Sequence, residues 1–359
     1  MYYSLTKIDK LKAIYNMIIG ERSNGKTYAV CEKLLKKHIT DGAKGAYLRR
    51  YEEEIMPKNI KTLFEPHDIA KITHGEFNST IYKQRGFYLT YVNDSGEVER
   101  QEKEPFCIAL SLNTSLTTKG ADRGKVDYII FDEFMTRDLY LTNEFILFTN
   151  LISSLIRDRD GAIIYMLANT VNKYCPYFKE MRIGNIEELK QGEIKLFTYE
   201  NSGLTVAIEW CAVSGHSKKV GKYFAFDNPR LQMITGGKWE LPNYPRSPIR
   251  VENEKILLKF YIKFDGSIIC GNIIKDNAYL FILFHPHTGR HEPNNNDIIY
   301  MQYPDGAIMH VKYIDDTPTE AHQLIKDLIY KEKCFYSDNE TGEKVRNWKI
   351  NIDRGALLD

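Results

Sequence analysis

One eight-residue stretch constrains this chain more than any other: Gly20-Glu21-Arg22-Ser23-Asn24-Gly25-Lys26-Thr27, a match to the pattern GxxxxGK[ST]. The residues before it, Leu11 to Ile19, form an apolar, partly β-branched run that reads as a buried strand. After it, Val30, Leu34, Leu35 and Ile39 fall near helical spacing and the pattern stops before Asp41-Gly42, so Thr27 to Ile39 reads as a helix. Strand, glycine turn and helix open a βαβ unit, which commits this part of the chain to an α/β sheet domain. In that setting the glycines let backbone N–H groups turn inward around phosphate oxygens, and the helix N-terminus adds partial positive charge. Lys26 is placed to reach β- and γ-phosphates, and the Thr27 hydroxyl to coordinate Mg²⁺. Glu21, Arg22, Ser23 and Asn24 complete the cradle between Gly20 and Gly25, and ATP with Mg²⁺ is the expected ligand pair.

A phosphate cradle alone does not specify hydrolysis. The apolar run Tyr128-Ile-Ile-Phe-Asp132-Glu133-Phe134 adds two acids at a strand end. Asp132 suits the Mg²⁺ shell, and Glu133 suits orienting and polarising an attacking water, a role a hydrolase needs and a small-molecule kinase does not. Lys44 to Tyr51, Val126 to Phe131 and Ala162 to Leu167 read as further central strands. Asn169, just past the last of these, would lie beside the γ-phosphate, where an amide senses it or holds the water. Arg157 and Arg159 follow the apolar helical run Phe145, Phe148, Leu151, Ile152 and Leu155, and either suits an arginine finger supplied from a neighbouring subunit.

The remaining chain is long enough for more than this unit, since 359 residues is roughly two domains' worth. Ser79 to Tyr82 and Gly86 to Val92 read as an antiparallel ribbon inserted outside the central sheet. Residues 214 to 248 gather glycines and prolines and read as a connector. Beyond it, Ile256 to Phe264, Ser267 to Ile274 and Ala278 to Phe284 form a strand meander, and the capping box Thr317-Pro-Thr-Glu320 opens a late helix. No apolar run approaches the roughly 20 residues a membrane helix needs, and six scattered cysteines suit reduced thiols in a cytoplasm. The net charge of +1 excludes a globally basic nucleic-acid coat, yet residues 1 to 50 carry eleven Lys and Arg against four acids. That local +7 reads either as a solvated helix face around Lys33, Lys36 and Lys37 or as a polyanion surface, and the second reading makes those three candidate DNA contacts, with Lys218, Lys219 and Lys222 further on.

This order resembles the genome-packaging ATPases of small podophages (the Picovirinae), distant relatives of large terminases. The likeness rests on the GxRxxGK[ST] form with Arg22, Ala46-Tyr-Leu-Arg49-Arg50-Tyr51, Ile130-Phe-Asp132-Glu133-Phe134, Arg157-x-Arg159, Asn169 and Asn172-Lys-Tyr-Cys-Pro176-Tyr177-Phe178. It implies an ASCE-type, RecA/FtsK-like P-loop NTPase over 1–200, a short linker domain over 201–248 and an α+β, RNase H-like C-terminal domain over 249–359. It further implies a homo-oligomeric ring, a pentamer at the procapsid portal, driving double-stranded DNA inward in the host cytoplasm. Lys26, Thr27, Asp132 and Glu133 take the nucleotide and metal roles, and Arg157 falls at the trans-acting finger. Lys119, thirteen residues before Asp132, is a second candidate for a subunit-crossing cation.

The C-terminal part departs from a working nuclease. Two-metal chemistry needs several carboxylates around ions roughly 3.5–4 Å apart. The strand Leu257 to Phe264 has no acid in its middle, Asp265 lies at the turn, and Asp315 with Asp316 does not complete a cluster. The expectation is a vestigial nuclease fold that binds DNA, packaging RNA or the portal. His285, His287 and His291 lie among prolines and a glycine and read as loop decoration rather than a zinc site. A helicase-like or replication ATPase, or a non-motor DNA-binding subunit, is the alternative.

Overall fold

The computed structural model describes residues 3–21, 24–114, 126–136, 140–141, 143–156, 161–169, 175–184, 186–211, 244–264, 267–277, 279–289, 292–294, 297–302, 309–312 and 319–355. The chain divides into two compact units, Met1–Glu240 and Leu241–Asp359. Among the described residues no helix is long and apolar enough to cross a membrane.

In the first unit, helix α1 (Thr6–Asp9) precedes β1 (Tyr15–Gly20), α2 (Lys26–Asp41) and β2 (Gly45–Arg49). Short helices α3 (Pro57–Ile60) and α4 (Ile69–Ile72) lead to β3 (Ser79–Lys83), β4 (Gly86–Val92), β5 (Val98–Gln101), β6 (Cys107–Ser111) and β7 (Tyr128–Asp132). Then come α5 (Glu144–Ile156), β8 (Ile163–Asn169), α6 (Pro176–Glu180), β9 (Ile194–Tyr199) and β10 (Leu204–Trp210). They build one sheet in the order β3-β4-β6-β2-β7-β8-β1-β10-β9, with β5 against β4. The run β6-β2-β7-β8-β1-β10 is parallel throughout.

The period-two rule explains why these strands are apolar on both sides. Met17 and Ile19 join one core cluster and Ile18 the other; Ile129 and Phe131 likewise oppose Ile130. One cluster includes Phe148, Leu151 and Leu155 of α5, and the other Val30, Leu34 and Leu35 of α2. A parallel sheet covered on both faces has this continuous apolar signature.

Three departures from the sequence reading have local causes. β1 begins at Tyr15 rather than Leu11, because Lys12 takes a left-handed φ of 53° and turns the chain. The ribbon of β3 and β4 is not outside the sheet: Gly86 and Phe87 pair with Ile108 and Cys107 of β6, a strand the sequence reading missed. The sheet also continues past residue 200, since β10 pairs in parallel with β1 from Tyr15↔Val206 to Ile19↔Trp210. Residues 214–243 of the connector, Lys218, Lys219 and Lys222 among them, lie outside the described residues.

At the C-terminal turn of α2, His38 Nε2 meets Glu102 Oε1 at 2.9 Å and Nδ1 meets Ala43 O at 2.8 Å. Burial acts to lower the imidazole pKa, but the bonds to Glu102 and Ala43 outweigh it and leave it raised. A helix C-terminus also favours the cation. A raised pKa means the stabilisation is complete below the unfolded value of about 6.5 and is lost as pH rises through the folded value. His38→Gln should therefore flatten the fall in Tm between about pH 6 and 8, as thermal melts across that range would show.

The second unit holds β11 (Ile256–Phe264), β12 (Ser267–Asp276), β13 (Tyr279–Pro286), β14 (Ile298–Gln302), β15 (Met309–Lys312), α7 (Glu320–Tyr330), β16 (Cys334–Tyr336) and α8 (Asn339–Gly355). The meander β11-β12-β13 is extended by β14 parallel to β11, and by β16 parallel to β13. This is an α+β arrangement, as expected. Phe260, Ile262, Ile273, Ile282 and Phe284 pack in one cluster with Ile325 and Leu328 of α7 and Val345 and Trp348 of α8. Gly271 allows this packing, for an added Cβ would lie 2.3 Å from the Phe260 ring. His285 is held within the sheet, its Nε2 accepting from Asn272 Nδ2 at 3.0 Å and its Nδ1 facing Pro286 O at 2.9 Å. His287 stands edge-on to Tyr261 at 5.4 Å. His291, Asp265, Asp315 and Asp316 lie outside the described residues.

Candidate active site

The carboxyl ends of parallel strands are where an open α/β sheet leaves a crevice. Here β8 lies between β1 and β7, with Gly20 opposite Asn169 and Leu167 opposite Asp132. That register brings the glycine loop, both acids and Asn169 to one edge. They line a cavity of about 250 Å³ with Asn24, Gly25, Lys26, Thr27, Tyr28 and Ala168.

The two loop glycines are required for different reasons. Gly25 has φ 92°, a left-handed value that an L-residue adopts only under strain. Gly20 is constrained by space: an added Cβ would sit 2.9 Å from both Asn24 Nδ2 and Cys211 Cβ. Cys211 directly follows β10, and its N–H donates to Ile19 O at 2.7 Å, so a strand end beyond residue 200 closes the loop's flank. Burial raises its thiol pKa to about 12, which keeps it a neutral packing group.

Lys26 opens α2 and turns its ammonium back into the loop. Nζ donates to Glu21 O at 2.8 Å, to Gly20 O and Asn24 Oδ1 at 3.2 Å each, and to Asn169 Oδ1 at 3.4 Å. Burial lowers its pKa, although nearby Cys211, Asp132 and Glu21 oppose the shift. A buried ammonium ringed by neutral oxygens suits an anionic phosphate as a further partner. Glu21 is itself buried, with Gln191 Nε2 at 3.5 Å from its Oε1. Arg22 and Ser23 lie outside the described residues.

Asp132 Oδ2 accepts from Thr27 Oγ1 at 3.1 Å and from Tyr47 OH at 2.9 Å, and Oδ1 accepts from the Glu133 N–H at 3.1 Å. Although it borders the cavity, protein surrounds it elsewhere, and burial raises its pKa against the lowering by Arg49, Tyr47 and Thr27. The positive charge around this carboxylate does not offset its burial. A hydroxyl and an electron-rich carboxylate side by side are a hard-oxygen donor set that fits Mg²⁺.

Glu133 has φ 60°, so the chain turns sharply where the acid leaves the strand. Its Oε2 accepts from Arg49 Nη2 at 2.8 Å, and Arg49 also pairs with Glu54. Arg50 is buried, with Glu144 as its carboxylate partner at 2.7 Å. Sequence reasoning quoted Tyr47, Arg49 and Arg50 only as part of a motif and gave them no role. The available signal was period two on β2: Tyr47 and Arg49 share a face next to β7.

The lysines named for DNA contact divide. Lys33 is turned inward to Asp9 at 2.8 Å and Tyr165 OH at 2.6 Å, whereas Lys36 and Lys37 pair with Glu32 and Asp41 on the exposed face of α2. Lys119, Arg157 and Arg159 lie outside the described residues.

A "DNA packaging protein" of Bacillus phage B103 is 33% identical over 175 residues, which is 46% of this chain and 47% of that protein. The chain spans about half the length of the curated relatives it matches. In three dimensions it is similar to a chain of "The bacteriophage Phi-29 viral genome packaging motor assembly", with TM-score 0.59, 19% identity and 99% of each chain covered. It is also similar to "The Phi-28 gp11 DNA packaging Motor", with TM-score 0.59, 15% identity and 98% of each covered; at these identities both show the fold. The family model described as podovirus DNA encapsidation protein (Gp16) matches residues 1–189, more than half of the sequence and the whole stretch from the glycine loop through Glu133 to Asn169, and the chain belongs to that family.

Proposed function

We propose that this protein is an ATP-hydrolysing motor that translocates double-stranded viral DNA into a procapsid. The observation that carries it is the convergence of Lys26, Thr27, Asp132, Glu133 and Asn169 on one cavity, in a family described by DNA encapsidation. Lys26 and the loop N–H groups bind the phosphates, and Thr27 with Asp132 would hold Mg²⁺. That ion neutralises charge on the β- and γ-phosphate oxygens when bound. Glu133 accepts a proton from the attacking water, and the Asn169 amide orients that water or senses the γ-phosphate. Arg49 holds Glu133 Oε2 in an ion pair at 2.8 Å, which disfavours protonation of the carboxylate while the pair is closed.

The motor works as a homo-oligomeric ring, a pentamer, at the portal, with Arg157 completing each neighbour's site and Arg159 and Lys119 as the other candidates for that crossing. The C-terminal unit binds DNA, packaging RNA or the portal. The full chain should bind duplex DNA at modest salt and hydrolyse ATP faster in its presence, with the stimulation falling steeply as salt rises. Turnover indifferent to duplex DNA would refute the motor, and strand displacement in the same assay would favour a helicase.

A further inference from the structure

Glu133 poses a mechanical problem. A non-glycine residue at φ 60° costs about 1–2 kcal/mol and persists only where its surroundings over-determine it. Glu133 N–H donates to Asp132 Oδ1 and Phe134 N–H to Leu167 O, which fixes the donor side of the turn. Its carbonyl side is fixed by one residue. Arg50 Nη1 donates to Glu133 O at 3.1 Å, and Nη2 to Phe134 O at 2.8 Å.

The same guanidinium makes a two-point contact with Glu144, from Nε to Oε2 at 2.7 Å and from Nη2 to Oε1 at 2.8 Å. Four of the five N–H donors of arginine are thereby committed in one plane. Glu144 is locked in turn by Tyr177 OH at 2.8 Å and the Leu141 N–H at 2.7 Å, and Tyr140 lies under the guanidinium at 5.0 Å. Both partners are buried, with side-chain exposures of 4% and 0%. A buried ion pair is weak evidence of stabilisation, because an apolar pair of similar volume often serves as well. A planar fork that satisfies two successive carbonyls at a strained turn is something an apolar pair does not supply.

We propose, resting on the ATP hydrolysis proposed above, that Arg50, held by Glu144 and Tyr177, is a positioning residue that fixes the Glu133 turn and so aims its carboxylate at the cavity. Arg50 is not among the residues that line the cavity. It acts through the peptide of Glu133, and its loss moves the step Glu133 performs while leaving nucleotide binding alone.

The test uses the full chain carrying Arg50→Lys or Tyr177→Phe. Lysine keeps the charge but not the fork; phenylalanine removes a single hydrogen bond to Glu144 and keeps the variant folded should Arg50→Lys fail to fold. Amide hydrogen exchange over residues 132–136 should speed up about tenfold or more in either variant. In Arg50→Lys, kcat should fall at least about tenfold with KM for ATP within about twofold, and in Tyr177→Phe by a smaller factor in the same pattern. Unchanged exchange over 132–136, or KM and kcat worsening together, would overturn the proposal. If the wild-type chain does not hydrolyse ATP the ATPase function fails by itself, and the exchange measurement alone decides whether Arg50 fixes this turn.

Discussion

Glu133→Gln should bind ATP as the wild type does and turn it over about 10²–10⁴ times more slowly, the range a positioned general base contributes. The substitution leaves untouched Lys26, Thr27 and Asp132, which line the cavity and to which the proposal gives the phosphate and metal roles. The glutamine amide matches the carboxylate in size but takes no proton from water at neutral pH. Among the described residues the side-chain contact it weakens is the charge-assisted one to Arg49, which is half-exposed on the Glu133 side and therefore a small contribution to stability. Filter or fluorescence binding of an ATP analogue, beside steady-state release of phosphate, separates the two outcomes. Lost binding would mean that Glu133 supports the fold of the cradle instead, and turnover within about threefold of wild type would remove it from the chemistry.

How well this site could be read from the sequence depended on the range of each constraint. The cradle is local: Gly20 to Thr27 is contiguous, and strand and helix propensities on either side agree with it, so position and type follow from neighbours in the chain. Asp132 and Asn169 were legible because parallel strands bring their carboxyl ends to one edge. What the sequence left dark is non-local. Nothing near Cys211 marks it as the wall beside Gly20; that requires knowing that β10 pairs with β1 in register. Its strand, Leu204 to Trp210, lay beyond a boundary suggested by the glycine- and proline-rich residues that follow, a composition signal about the loop rather than about the sheet. Likewise, Arg49 and Arg50 are adjacent and chemically alike, yet they face opposite tasks, one on the Glu133 carboxylate and the other on its carbonyl. Only the end of β2 at Arg49 and the burial of Glu144 separate them. Lys33 shows the opposite error, a charge that composition assigns to solvent and packing assigns to Asp9.

Arg157→Ala should retain ATP binding and lose about 10³–10⁵ in turnover, the contribution of an arginine finger to phosphoryl transfer. Helix α5 ends at Ile156, one residue before Arg157, and its opposite end is anchored through Glu144 to Arg50. Subunit mixing decides the matter. Neither Arg157→Ala nor Glu133→Gln should work alone, but a ring assembled from equal parts of both places a Glu133-bearing subunit beside an Arg157-bearing one. With random neighbours about a quarter of the interfaces then hold both groups, so roughly a quarter of wild-type turnover should return if the finger acts across the interface. A finger acting within its own subunit would return none, because no subunit in the mixture carries both residues. Repeating the mixture with Arg159→Ala or Lys119→Ala in place of Arg157→Ala identifies which cation makes the crossing, since only that variant both loses turnover alone and regains it with Glu133→Gln as partner.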